Sequence, residues 1–284
     1  MTTEQDIREY FETAKELTLQ AGELFKSGFE GQKVVEAKEH EWDLVTDCDK
    51  KIEELLTKGL KEKYPDHEFM GEEHMAKTKE PLVLTDKPTW IMDPIDGTLN
   101  FINSYPFSCI SVALSVRKEI VIGIIYDPLR SELFTAIKGH GAFLNDKRIK
   151  TTNVTELKKA LIEFELFSLF IPTKNRDIKL GRLEALHRAT RGIRFMGSAT
   201  LSLAYVAKGA LDSFQMDNLK PWDIAAGILL VREAGGSVID TKAEQYDFMK
   251  PNTIAAANNT LAMEIKQLIL DTDLKILRKR LTKM

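Results

Sequence analysis

The chain has 284 residues, 43% hydrophobic and 29% charged, the balance of a folded globular protein with a sizeable core and without the bias of a disordered one. Its formal net charge of −3 provides no basic footprint for nucleic acid, and its longest apolar stretches, 109–116 and 120–126, are of strand length, which argues against a membrane span. The two cysteines, Cys48 and Cys109, lie in unrelated contexts and no charged-then-apolar leader precedes them, so a reducing cytoplasm is the expected setting.

Ile7, Phe11, Ala14, Leu17, Ala21 and Leu24 recur at helical spacing and predict a first amphipathic helix. Ile52, Leu55, Leu56 and Leu60 predict a second, ended before Pro65. Asp43, Asp47 and Asp49 cluster just ahead of it, and either Asp47 or Asp49 reads as its N-cap. Gly71-Glu72-Glu73 follows the short apolar pair Phe69-Met70. Trp90-Ile91-Met92 reads as a strand that surfaces at Asp93, with Pro94 fixing φ and turning the chain. Between Ser108 and Ile137, β-branched and aromatic runs separated by Arg117-Lys118 and Asp127-Pro128 predict three strands of an antiparallel meander. The second half alternates: a strand over 161–166, a helix near 182–190, a helix over 198–208, a strand over 211–216 and a helix from Trp222. That alternation predicts a second sheet layered between helices. With no internal repeat or long linker, residues 1–284 are expected to form a single compact unit of two lobes, about 1–150 and about 151–284.

The run Asp93-Pro94-Ile95-Asp96-Gly97-Thr98 is the densest concentration of chemistry. Two carboxylates three residues apart across a Pro-fixed turn can converge on one point, and hard oxygen ligands without a nearby His or Cys favour Mg2+. Gly97 permits close approach of a ligand, and Thr98 offers a hydroxyl and an N–H at a helix start, where a phosphate oxygen binds well. Alone, the run reads equally as a β-turn with Asp93 capping and Asp96 solvated. Two further carboxylates tip the balance: Glu72, and Asp223, which follows Pro221 at the start of an apolar helix and can either cap that helix or ligate a metal.

Three blocks in this order, Gly71-Glu72-Glu73, Asp93-Pro94-Ile95-Asp96-Gly97-Thr98, and Trp222-Asp223 followed by Gly235-Gly236, resemble the inositol monophosphatase family of lithium-sensitive, magnesium-dependent phosphatases. Weaker similarity runs from Asp43-Leu44-Val45-Thr46 through Gly139-His140-Gly141-Ala142-Phe143 to Ala255-Ala256-Ala257-Asn258. The resemblance implies an α+β fold, a five-layer α-β-α-β-α sandwich with the metal site in the cleft between two lobes. It implies that Glu72, Asp93, Asp96 and Asp223, with the carbonyl of Ile95, hold about two or three Mg2+ ions, one lowering the pKa of a water and another stabilising the leaving oxygen. Thr98 and Glu72 are then expected to orient or deprotonate that water, and the Gly97 and Thr98 N–H groups to take phosphate oxygens. Asp49 is expected to reach the catalytic threonine hydroxyl or a third metal. Gly197-Ser198-Ala199 resembles the segment that meets the substrate ring, a role compatible with an N-cap by Ser198; Asp223 also meets substrate, and Ser168 is expected to line the pocket.

One departure bears on substrate choice. Many family members carry a glutamate, bonded to a substrate hydroxyl, where this chain has Met216. Asp217 is adjacent, but a one-residue shift in a strand turns a side chain to the opposite face. The five histidines show no metal spacing, His140 reads as a loop residue, and the basic C-terminal run 275–283 reads as a solvated helix end. The leading expectation is hydrolysis of inositol monophosphates, small-molecule phosphate esters, by a homodimer sensitive to Li+. Sibling activities on fructose 1,6-bisphosphate or a nucleotide 3′-phosphate are the alternative, disfavoured by compact length and the Asp-Gly-Thr form of the motif. A non-catalytic binding role on the same fold is disfavoured by retention of every expected ligand.

Overall fold

The computed structural model describes residues 2–37, 44–79, 81–165 and 175–282. The first layer is a helix pair, α1 (Glu4–Glu30) and α2 (Asp47–Lys63), preceded in the case of α2 by a short ribbon of β1 (Val35–Ala37) and β2 (Leu44–Thr46). The predicted cap of α2 is corrected: Thr46 is the N-cap, Asp49 returns the bond to the Thr46 N–H, and Asp47 lies inside the first turn. A Thr hydroxyl and an acid three residues on form a capping box, which satisfies two end groups where one aspartate would satisfy one.

The second layer is a seven-stranded sheet in the order of the chain: β3 (Glu68–Gly71), β4 (Thr89–Asp96), β5 (Cys109–Val116), β6 (Glu119–Asp127), β7 (Glu132–Ile137), β8 (Gly141–Leu144) and β9 (Lys147–Arg148). β3 and β4 are parallel and every other pair is antiparallel, so the expected meander of β5, β6 and β7 is present and is extended by β4 on one side and by β8 and β9 on the other. Trp90, Met92, Ile122 and Ile124 face α1 and α2, packing on Phe25, Ile52 and Leu56, while Ile91, Ala113, Ile125 and Phe134 face the opposite way. Such alternation is what a sheet covered on both faces requires.

The third layer is α6 (Ala199–Ala207) and α7 (Pro221–Glu233), and the fourth is a five-stranded sheet of β10 (Leu161–Phe164), β11 (Gly192–Arg194), β12 (Ser213–Asp217), β13 (Ser237–Asp240) and β14 (Asn252–Ala256), in spatial order β11-β10-β12-β14-β13. The fifth layer, α5 (Arg176–Ala189) and α8 (Asn259–Leu281), closes a third core around Ile162, Phe164, Leu186, Ile254, Leu261 and Ile265. The five-layer α-β-α-β-α arrangement expected from the sequence is therefore the observed one. No helix among the described residues is long and apolar enough to cross a membrane.

A row of small residues sets how closely α7 approaches the first sheet. Ala113, Gly123, Ala136 and Ala142 are successive cross-strand partners in β5, β6, β7 and β8. A Cβ on Gly123 would stand 2.7 Å from the carbonyl oxygen of Ala226 in α7. Replacing Gly123 with Ala would push helix and sheet apart, and overpacking of this kind costs about 1–3 kcal/mol. Gly123→Ala is expected to lower the midpoint of thermal unfolding by several degrees; an unchanged midpoint would show that α7 slides freely on the sheet.

Candidate active site

The site begins with an irregularity in β4. In a regular strand Asp93 and Asp96, three positions apart, would point to opposite faces. The pairing of β4 with β5 shifts between them: Asp93 lies opposite Ser111 and Asp96 opposite Cys109, so β4 carries one residue more than its partner. That bulge resets the alternation. Before it, Ile91 packs on the α6/α7 side; after it, Ile95 packs on the α1/α2 side, and both aspartates face α7. Pro94, which has no N–H to donate, sits where the ladder is interrupted. The expected turn at Pro94 is thus corrected to a bulge within the strand, with Asp93 and Asp96 buried at 2% and 7% exposure instead of surfacing.

The chain turns at Gly97, whose φ of +87° is the left-handed region. A Cβ there would lie 3.0 Å from the Phe107 carbonyl and 3.1 Å from that of Gly197. Thr98 opens the short helix α4 (Thr98–Ile102), as the sequence suggests, and its hydroxyl donates to the Ile95 carbonyl at 3.0 Å.

Asp223 arrives from the first turn of α7, where Oδ2 accepts the Lys220 N–H at 2.7 Å. One carboxylate oxygen each from Asp93, Asp96 and Asp223 lie within 4.8 Å of one another. Glu72, the first residue of α3 (Glu72–Thr78), stands outside this tight group but close enough for its charge to act on Asp96 and Asp223. Burial foremost pushes the Asp96 carboxyl up to about 7; Ser198 and the Thr200 N–H pull it back, and the charges of Glu72 and Glu165 raise it further. Asp223 is held well above the usual carboxylate range, first by burial and then by Glu72 and Asp96. Carboxylates converging under mutual repulsion, with oxygen donors alone, are what a hard divalent cation relieves. The donor set therefore fits a hard divalent cation at Asp93, Asp96 and Asp223.

Of the remaining expected residues, the Gly197-Ser198-Ala199 segment meets this cluster through the Ser198 hydroxyl. Ser198 caps α6, accepting the Leu201 N–H at 3.3 Å, and donates its hydroxyl to Asp96. Gly197 precedes it with φ +77°, and Ala199 is the buried first residue of α6. Asp49 is buried on α2, its Oδ2 accepting the Thr46 N–H at 2.9 Å and hydroxyl at 2.5 Å. Ser168 lies outside the described residues. Asp217 is committed elsewhere, accepting from Arg182 at 2.7 Å, Thr241 at 2.8 Å and Gln215 at 3.0 Å, so it does not take up the role of a carboxylate at Met216.

Several supports carry no signal in the sequence. Thr200 gives its N–H to Asp96 at 2.9 Å and its hydroxyl to the Asp223 carbonyl at 2.8 Å, linking two carboxylate-bearing segments. Asn100 donates to the carbonyls of Phe107 and Met196, both at 2.8 Å. Glu165 accepts the Gly197 N–H at 2.5 Å. Beside it Glu163 is fully buried, and burial followed by the Glu165 charge drives it well toward its neutral form. Only the Ser198 cap had a local motif to reveal it.

A model of the inositol monophosphatase family matches residues 6–272. Inositol monophosphatase 2 of Solanum lycopersicum is 41% identical over 258 residues, covering 89% of this chain and 94% of that protein. Inositol monophosphatase 2 of Homo sapiens is 38% identical over 259 residues, covering 91% and 90%. Among solved structures, the extragenic suppressor protein suhB from Bartonella henselae has a TM-score of 0.82 at 33% identity, over 91% of this chain and 97% of that one.

The raised Asp96 has a consequence for the metal-free protein. Its unfolded value is about 3.9 and its folded value about 7, so the folded state binds the extra proton between them. Its stabilising contribution is complete below the unfolded value and is lost as pH rises through the folded one. In EDTA, thermal stability is expected to decline across that window, less so in Asp96→Asn, and Mg2+ is expected to restore it most at the upper end. Equal pH slopes for the two proteins, measured by calorimetry, would contradict this account.

Proposed function

The chain belongs to the inositol monophosphatase family and is an enzyme of the phosphatase class, and from that premise we propose that it hydrolyses inositol monophosphates to inositol and phosphate with Mg2+. The observation that carries the reading is the buried convergence of Asp93, Asp96 and Asp223 beside the Gly97 turn. Glu72, Asp93, Asp96, Asp223 and the Ile95 carbonyl would hold the ions. When bound, the ions supply positive charge against phosphoryl oxygens and make water a stronger acid.

The protein's own groups do the positioning. The Gly97 and Thr98 N–H groups take phosphate oxygens where the left-handed turn leaves room for no side chain. The Thr98 hydroxyl, which donates to the Ile95 carbonyl at 3.0 Å, keeps its lone pairs for an attacking water. Glu72 takes that water's proton as the water oxygen bonds to phosphorus, while the ester P–O bond breaks with its electron pair going to the inositol oxygen, which takes a proton from solvent water. Asp49 would reach the Thr98 hydroxyl or a third ion from α2, and Gly197, Ser198 and Ala199 would border the substrate ring. In-line displacement of this kind needs positioning and charge neutralisation more than a nucleophilic side chain. A homodimer and inhibition by Li+ belong to the same proposal and rest on the family membership; residues 1–284 acting as one two-lobed unit and a cytoplasmic setting belong to it too, and rest on the even composition of the chain and the unrelated contexts of Cys48 and Cys109.

Phosphate release from myo-inositol 1-phosphate, fructose 1,6-bisphosphate and adenosine 3′,5′-bisphosphate tests it, each with Mg2+, with EDTA, and with Mg2+ plus Li+. The inositol ester is expected to be preferred, with release abolished by EDTA and reduced by Li+. Asp93→Asn and Asp223→Asn are each expected to abolish Mg2+-dependent turnover while the protein stays folded; wild-type rates in both would remove these residues from the site.

Met216 adds a specificity test. Met216 in β12 stands where many family members carry a glutamate, and Asp217 is tied to Arg182. A charge-assisted hydrogen bond contributes about 1.5–3 kcal/mol, so Met216→Glu is expected to change KM and the ranking among polyol phosphates by about tenfold or more with little change in kcat. An unchanged ranking would refute a role for this position in substrate choice.

A further inference from the structure

Glu53 lies on α2, away from the aspartate cluster, and its side chain reaches the beginning of α3. It is 8% exposed, and its two carboxylate oxygens accept the N–H groups of Glu73 and His74, each at 2.8 Å. These are first-turn donors that the helix cannot satisfy internally. Gly71, the N-cap of α3, has no side chain to cap them, and a Cβ there would stand 2.5 Å from the Glu53 carboxyl carbon. Glycine at 71 is therefore required by the space that Glu53 occupies.

Placing this carboxylate here is unfavourable in isolation. Burial is the main cause that raises the Glu53 acid above its ordinary value, the two N–H bonds oppose it, and the neighbouring Glu72 charge raises it further. A small neutral cap at 71 would satisfy one donor without repelling Glu72. A two-pronged acceptor from another helix instead ties the start of α3 to α2, which packs on β4, the strand that carries Asp93 and Asp96.

We propose that Glu53 is a positioning residue: by clamping the Glu73 and His74 N–H groups it fixes the backbone of Glu72 relative to Asp93, Asp96 and Asp223, and so sets the affinity of the site for a divalent cation. The inference rests on the reading of Glu72 as a metal ligand. Glu53 touches neither substrate nor metal and acts through the first turn of α3.

Glu53→Gln retains the shape but can accept only one of the two N–H groups. In the metal-free protein, amide exchange at Glu73 or His74 is expected to accelerate by about tenfold or more, with other protected amides unchanged. Mg2+ affinity, measured by calorimetry, is expected to fall about 10- to 100-fold, the usual effect of removing a partner that orients a ligand. If Glu53 acts through Glu72, Glu53→Gln added to Glu72→Gln weakens Mg2+ binding no further. Gly71→Ala, which leaves Glu53 in place and displaces its carboxylate, is expected to reproduce the loss and serves if Glu53→Gln does not fold. Mg2+ binding in the wild type with unchanged affinity in Glu53→Gln, or additive losses in the double variant, overturns this proposal alone. A wild-type chain indifferent to Mg2+ overturns the metal reading and this proposal together.

Discussion

Three carboxylate oxygens held within 4.8 Å of one another repel, and much of the surrounding structure resists that repulsion. Asp93 accepts the Ile95 N–H, Asp96 accepts from Ser198 and the Thr200 N–H, and Asp223 accepts the Lys220 N–H. Each bond favours the charged form and fixes the group in place. None of these donors is a guanidinium or ammonium. Hydroxyl and backbone N–H dipoles orient the carboxylates, and the Lys220 charge acts on Asp223 besides.

The cluster depends on two accommodations made before any polar contact forms. One is the bulge in β4, without which Asp96 would face α1 and α2, where Ile95 now packs. The other is the row Ala113, Gly123, Ala136 and Ala142, which lets α7 lie close on the sheet and brings Asp223 to the same end of β4. Neither is chemically active. Both decide distances among groups that are, and a change in either would be felt at the site without touching a ligand.

How much of this was legible in the sequence follows from how local each signal is. The helices α1 and α2 announce themselves because apolar residues recur on one face. The meander is visible because strands buried on both faces are almost uninterruptedly apolar. Asp93, Asp96, Glu72 and Asp223 could be named as a set because they stand in short unusual contexts with Gly, Pro or Trp. The bulge could not be foreseen: Pro94 is equally at home in a turn and at an interrupted ladder, and only the pairing with β5 decides between them. Thr200, Asn100 and Glu165 were silent for a different reason. Their partners are distant in the chain, as when Thr200 meets Asp96 across |i−j| = 104, and no local pattern encodes such a contact.

The same distinction explains the neighbouring residues Met216 and Asp217. Strand alternation alone says that the two point oppositely, and the structure shows what the aspartate does on its side. It joins Arg182, which also binds Asp273 at 2.7 and 2.6 Å, so one buried cation ties α5, β12 and α8 together. A buried guanidinium stripped of one carboxylate is strongly destabilising, so Asp217 is fixed by architecture and is not free to drift toward the site. The charge at 217 and the methionine at 216 are thus independent facts about β12. One belongs to the packing of the outer layer, and the other packs against the core on the α6/α7 side of the same strand.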